Sequence, residues 1–348
     1  MKILILKPSS LGDVVQALPV LRLIKAHKPD AGIFWWIDSR LAPLLENDPD
    51  LAGIIRFERN GWGLLKRWLE LWRHIRWARA QKFDWVIDLQ SLARSGAFGW
   101  LTNGKLFVGL DESREGARGY YDIAVPRRSF HTHAVDWYLD VLRALNVPVH
   151  ENINWLPEKP AVAETVRKKL NFGNAPFIVI QPGARWSNKR WPAENYAELV
   201  RQFGKNHPEF RFVILGGTED QSLGKIVANA LPERCVDLTG KISLPEMVEC
   251  IRQSVLMVTN DTGPMHVAAA LRKPVVALFG PTEPRRTGPY GQIEQALQLP
   301  LPCVPCMKPT CTYFKPFECL RGISPKVVLA SLIIDAARLE LLDKAPPQ

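Results

Sequence analysis

Short apolar runs alternate with longer amphipathic segments along almost the whole chain. Ile3–Leu6, Ile33–Ile37, Trp85–Asp88 and Leu106–Val108 read as strands in the first half. Phe177–Gln181, Arg211–Leu215, Leu256–Thr259 and Val275–Phe279 do so in the second. Between them, helical spacing of apolar residues predicts helices over Val14–His27, Asn195–Asn206, Gly224–Ala230 and Pro245–Arg252. The strand runs are apolar at successive positions, which fits strands covered on both faces. The βαβα order therefore predicts parallel sheets with helices on both sides. The alternation breaks near residues 148–176 and restarts at Phe177, so two Rossmann-like domains joined by a Pro-containing linker around Glu151–Pro160 are expected.

Length agrees with two domains, since 348 residues is long for one core. Apolar residues at 47% and charged residues at 23% describe an ordinary globular chain. The net charge of +10 points to an acidic partner: nucleic acid, an anionic membrane surface or a phosphorylated substrate. The apolar run after Lys2 is too short for a signal peptide, and no stretch approaches the ~18 apolar residues of a spanning helix. A cytoplasmic protein, at most leaning on a membrane, is the expectation. Cys303, Cys306, Cys311 and Cys319 form a C-x₂-C-x₄-C-x₇-C cluster. Four thiolates are a possible structural Zn²⁺ set, although the gaps are not those of a standard finger. Free thiols or redox-dependent pairs are the other reading.

Ligands of parallel sheets bind beyond the carboxyl ends of the strands, so the loops there hold the candidate chemistry. The first, "KPSSLGD", has one glycine, Gly12, and so is no dinucleotide fingerprint. Asp13 in the following helical turn is either a helix cap or a general base. "QPGARWSNKRWP" offers Gly183 for a tight turn and Lys189 and Arg190 as cations for a diphosphate, or else a solvated basic loop. "GGTEDQ" places Glu219 and Asp220 where they either accept ribose hydroxyls or cap a helix. In "TNDTGPMHVAAAL" a strand ends at Asp261, Thr262 and Gly263 turn, and Pro264 sets the first helical turn. Such a turn presents N–H groups to an anion, with His266 beside it either as a ligand contact or as a buried core residue.

One further segment combines charge with amphipathicity. Residues 56–79 carry seven Lys or Arg and two Glu. On a helical wheel Leu64, Leu65, Trp68, Leu69, Leu71, Trp72 and Ile75 share one face, with Lys66, Arg67, Arg73 and His74 opposite. This is either a core-facing helix with a solvated basic side or an acceptor-binding, membrane-leaning arm. Eight of the twelve tryptophans precede residue 101, which favours the interfacial reading.

Taken together, "SSLGD", "PGA…KRWP", "GG…ED" and "NDTGPMHVAAAL" with "FGPT" resemble glycosyltransferase family 9, the ADP-heptose:lipopolysaccharide heptosyltransferases, over nearly the whole chain. The resemblance implies an α/β GT-B fold, two Rossmann-like domains facing across a cleft. Residues 1–158 would bind the acceptor and 159–323 the ADP-sugar, with the helix of 324–348 packing back on the first domain. It implies an inverting transfer from ADP-heptose to the Kdo/heptose inner core of lipopolysaccharide, without a metal or other cofactor. Asp13 would be the base and Lys189 would bind the diphosphate. Gly12, Glu219 or Asp220, Ile242, Asp261, Thr262, Gly263 and His266 would complete the donor site. Ser10, Arg56, Arg59 and Arg114 are the implied acceptor contacts, at the cytoplasmic face of the inner membrane. Another nucleotide sugar, a later core acceptor or a sugar-nucleotide epimerase of the same fold are the alternatives. No nucleic-acid partner is expected.

Overall fold

A computed structural model describes residues 1–58, 64–112 and 115–343, of which 64–68 and 340–343 are described as backbone only. Every central strand expected from the sequence is present, and four more stand outside them. In the first unit β1 (Lys2–Leu6), β2 (Gly32–Asp38), β3 (Gly53–Phe57), β4 (Trp85–Asp88), β5 (Leu106–Leu110) and β6 (Ile123–Val125) form one sheet in the order 3-2-1-4-5-6. All its pairings are parallel. In the second unit β7 (Phe177–Gln181), β8 (Arg211–Ile214), β9 (Cys235–Asp237), β10 (Leu256–Asn260), β11 (Val275–Phe279) and β12 (Ala296–Gln298) repeat that order as 9-8-7-10-11-12, again parallel. The chain divides into Met1–Pro157 and Glu158–Gln348.

The strands that the apolar pattern missed, β3, β6, β9 and β12, are the four sheet edges. Their residues are mostly half-buried, whereas β7, β10 and β11 are buried throughout. An edge strand is covered less completely, so its sequence lacks the continuous apolar run that marks a central one.

Among the described residues, ten helices reach eight residues or more. They are α1 (Leu11–His27), α2 (Leu64–Gln81), α3 (Ala93–Leu101), α4 (Ala134–Ala144), α5 (Pro160–Leu170), α6 (Ala193–Asn206), α7 (Gln221–Ala228), α8 (Leu244–Gln253), α9 (Gly263–Ala270) and α10 (Pro325–Asp343). Helix α1 begins at Leu11 rather than the expected Val14, which places Asp13 inside its first turn. Pro19 is tolerated within it, and Val14 to Ile24 are all buried. Helix α10 buries Val328, Leu332 and Ala336 in the core of the second unit, where it packs on α6, β10 and β11.

The expected apolar face of α2 needs correction. Ile75 and Ala78 are buried and Leu71 is partly so, but Leu69 and Trp72 stand 58% and 54% exposed. Arg73, Arg76 and Arg79 are exposed beside them, while His74, expected on the outer face, is half-buried and its pKa is lowered by desolvation. The periodicity yields a wide apolar stripe, but the core accepts only its Leu71–Ile75–Ala78 edge. Leu64, Leu65, Lys66, Arg67 and Trp68 lie outside the described side chains.

Candidate active site

In a sheet of order 3-2-1-4-5-6 the crevice opens between strands 1 and 4, where the chain reverses its direction of travel. That rule selects the loops after β1 and β4 in the first unit and after β7 and β10 in the second. The sequence-predicted residues concentrate there.

In the first unit β1 delivers Lys7–Ser10 to the start of α1. Ser10 is the helix N-cap, and both its N–H and its hydroxyl donate to Asp13 Oδ2, at 2.9 and 2.7 Å. The capping reading of Asp13 is thus realised. The same two donors fix its carboxylate at the mouth of the sheet, half-buried and at the positive end of a 17-residue helix. Gly12 is buried beside it. The neighbouring strand β4 ends at Asp88, wholly buried, whose Oδ1 accepts from Gln90 and Ser91 N–H and whose Oδ2 accepts from the Tyr121 hydroxyl at 2.9 Å. Burial pushes the Asp88 carboxyl up, and these donors, with Ser95, oppose the shift. Asp88 ends an apolar strand run, so the sequence marks it as sheet alone.

In the second unit the loop after β7 carries Lys189 on a single 3₁₀ turn, Ser187–Lys189. Its Nζ donates to Asp261 Oδ2 at 2.5 Å and stands 4.8 Å from the centre of the Trp186 ring. Thr282, in the loop after β11, donates to the same Asp261 oxygen at 2.6 Å. The arrangement is held by Asn260, the fully buried last residue of β10. Its Nδ2 donates 2.8 Å to Pro182 O, and its Oδ1 accepts from Trp191 N–H at 3.0 Å. One amide therefore ties both ends of the lysine loop to the strand that delivers Asp261. Replacing Asn260 by Ala should leave a buried donor and acceptor unpaired, lowering stability by about 1–3 kcal/mol. A fall in Tm by calorimetry, with weaker ADP binding by titration, is the expected outcome.

Helix α9 starts immediately after this turn. Thr262 occupies its N-cap without capping it through its side chain, and Pro264 sits in the first turn. The first-turn amides and the helix dipole make an anion site of the kind that phosphates occupy. His266 lies one turn in and is buried. In the glycine-pair loop the two acidic residues separate. Asp220 is buried, accepts from Gly217 N–H at 3.1 Å and stands 3.5 Å from the Arg190 guanidinium. Burial is the chief cause that pushes its carboxyl up. A side chain at Gly183 would meet it at 2.1 Å, which is why glycine is needed there. Asp220 thus braces one loop against another, whereas Glu219 is exposed. Ile242 is half-buried in the loop after β9.

The profile of glycosyltransferase family 9 (heptosyltransferase) matches residues 71–316. The chain belongs to glycosyltransferase family 9. Lipopolysaccharide heptosyltransferase 1 of Pseudomonas aeruginosa is 32% identical over 333 residues, which are 90% of this chain and 88% of that protein. Among solved structures, Escherichia coli ADP-heptose lps heptosyltransferase II superposes with TM-score 0.77 at 24% identity, covering 98% of this chain and 100% of that one. Escherichia coli heptosyltransferase WaaC with ADP-2-deoxy-2-fluoro heptose gives 0.74 at 22%, covering 97% and 100%. The fold of this family 9 glycosyltransferase is therefore GT-B, and the protein is a transferase.

Two groups of expected residues in this glycosyltransferase stand differently. Arg59 and Arg114 lie outside the described residues. Arg56 is paired with Glu46 at 2.6 Å, both side chains well exposed. It lines a groove of about 800 Å³ at the β3 edge that also contains Asp48, Glu70 and His74, so its charge is already shared with carboxylates. For the four clustered cysteines the sequence offers a zinc set or free thiols. Cys303, Cys306 and Cys311 are near enough to act electrostatically on Cys319, whose thiol is pushed to about 11 mainly by burial. Yet no three His, Cys, Asp or Glu side chains among the described residues are grouped to hold a metal ion. The Cys311 sulfur instead accepts from Phe317 N–H at 3.4 Å. All six cysteines are free thiols.

Proposed function

We propose that this glycosyltransferase moves heptose from ADP-heptose to the Kdo/heptose inner core of lipopolysaccharide by a single inverting displacement. The observation that carries the reading is the Lys189–Asp261–Thr282 cluster beside the N-terminus of α9. It places a cation and free amide donors beside a carboxylate, which is what a sugar diphosphate requires. The similarity to an ADP-heptose lps heptosyltransferase and to a lipopolysaccharide heptosyltransferase supports the same choice.

In this mechanism the acceptor hydroxyl attacks the anomeric carbon while Asp13 takes its proton. The bond from the anomeric carbon to the diphosphate oxygen breaks, and ADP leaves with the electron pair. Lys189 and the α9 amides, at Thr262 and Gly263, stabilise the charge that grows on the leaving diphosphate. Asp261 and His266 orient the heptose, Glu219 takes the ribose hydroxyls, and Ile242 borders the adenine. Ser10 and Arg56, with Arg59 and Arg114, meet the acidic acceptor. A donor panel tests the reading: ADP should be released from ADP-heptose in the presence of acceptor, with far slower turnover of UDP-sugars. Preference for a UDP-sugar would sink it.

The acceptor class places the enzyme at a membrane surface in the cytoplasm. No helix among the described residues is long and apolar enough to cross a membrane. Exposed Leu69 and Trp72, flanked by Arg73, Arg76 and Arg79, provide an interfacial patch instead. Basic residues near an anionic leaflet contribute about 1 kcal/mol each. The double variant Leu69→Ser, Trp72→Ser should pellet several-fold less with phosphatidylglycerol vesicles while keeping its Tm. Unchanged sedimentation would remove α2 from the membrane-facing surface.

A further inference from the structure

The first unit holds a buried cation for which the mechanism above has no task. Lys7 directly follows β1 and is 4% exposed. Its Nζ donates 2.7 Å to Leu89 O, just beyond β4, and stands 4.9 Å from the centre of the Tyr138 ring on α4. Trp35 Nε1 donates to Lys7 O at 3.0 Å and fixes the backbone that carries the side chain. An ammonium buried merely to fill space is costly, and an apolar residue of similar volume packs more favourably. Keeping a charge here implies that the charge is used.

The groups around it show by what. Asp13 on α1, Asp88 at the end of β4 and Tyr138 on α4 all favour the charged lysine. Burial pulls the Lys7 pKa down, but these three outweigh it and the net displacement is upward. Lys7 is therefore a permanent cation at working pH. Tyr138 is held neutral, since burial pushes its hydroxyl up against the opposing pull of Lys7 and Arg127. Asp88 also accepts from Gln90, Ser91 and Tyr121. Of the two carboxylates, Asp13, capped by Ser10, interacts the more strongly with the lysine charge. Coulomb attraction is mutual and is strongest where water is excluded.

We propose that Lys7 is a positioning residue whose buried charge keeps the Asp13 carboxyl in its proton-accepting form when an anionic acceptor binds. An acceptor bearing carboxylates or phosphates brings negative charge toward Asp13 and favours its protonation. A solvent-exposed arginine would be captured by those same anions. A lysine sealed behind the loop cannot be, so its field remains on Asp13. The inference rests on Asp13 being the base.

The test uses the full chain with Lys7→Met, Lys7→Arg and Asp13→Asn. Carbon-13-labelled aspartate gives the Asp13 carboxyl titration, its resonance identified by its loss in Asp13→Asn. In Lys7→Met the midpoint should rise by about half a pH unit or more. The acidic limb of kcat/KM should move with it, and Lys7→Arg should restore both. ADP affinity should stay unchanged, since the nucleotide site belongs to the second unit. An unmoved midpoint, including one accompanied by a uniform loss of rate, overturns the proposal. Lys7→Gln, which keeps a donor toward Leu89, gives the same reading should Lys7→Met fail to fold. Full turnover in Asp13→Asn would defeat the base assignment separately, because the titration does not depend on turnover.

Discussion

Asp13→Asn should lower kcat by about 10²–10⁴-fold, the usual contribution of a positioned base. The stability of the protein should change far less. Asparagine retains an oxygen that can accept from the Ser10 N–H and hydroxyl, the two donors that now reach Asp13 Oδ2. The charge–dipole contribution at the α1 N-terminus is worth about 0.3–1 kcal/mol. Asp13→Ala removes the cap as well and should cost more in Tm with no further loss of rate. This pair of variants separates the two readings of the residue, since a residue that only caps would lose stability in step with activity. Steady-state kinetics together with thermal melting read both quantities. If the Asn variant turned over near the wild-type rate, Asp13 would be a cap alone.

The second large effect is expected at Lys189. Lys189→Ala should reduce kcat/KM for the donor by about 10²–10³-fold, the range seen when one donor to a developing anion is removed. Part of that loss has a specific origin. Lys189 neutralises Asp261, a carboxylate only 6% exposed. Without the lysine that charge faces the incoming diphosphate, held by the Thr282 hydroxyl. The double variant Lys189→Ala, Asp261→Asn should therefore be less impaired than the two single losses added together. A coupling of about 0.5–3 kcal/mol in the double-mutant cycle is the expected size. Strict additivity would mean that the ion pair has no part in donor binding.

How much of this was legible beforehand follows from where each signal resides. Central strands are covered on both faces and announce themselves as unbroken apolar runs. The four edge strands are not, and β9 and β12 in particular carry no such run. Asp13, Lys189 and Asp261 stand out as candidates in the sequence because each lies in, or one turn after, a loop with a distinctive Gly, Pro and charge pattern. Lys7, Asp88 and Asn260 do not, because each is a single polar residue at the end of an apolar strand. Each is joined to a residue distant in the chain, Lys7 to Leu89, Asp88 to Tyr121 and Asn260 to Pro182 and Trp191. Thr282 lay in view within "FGPT" but offered no reason to face Asp261 until β11 was placed next to β10. The cysteine spacing invites a metal, whereas among the described residues no three such side chains are grouped to hold one. Spacing along a chain sets no distance between sulfurs, and the geometry of a site does.

The most direct measurement incubates the purified protein with ADP-heptose and either Kdo₂-lipid A or its heptosylated form, and follows the lipid product by mass spectrometry. One of these acceptors should gain a single heptose with stoichiometric release of ADP, and the Asp13→Asn protein should form little product in the same time. Failure of the wild-type protein to modify either acceptor, while still hydrolysing or transferring from a different nucleotide sugar, would contradict the proposed reaction.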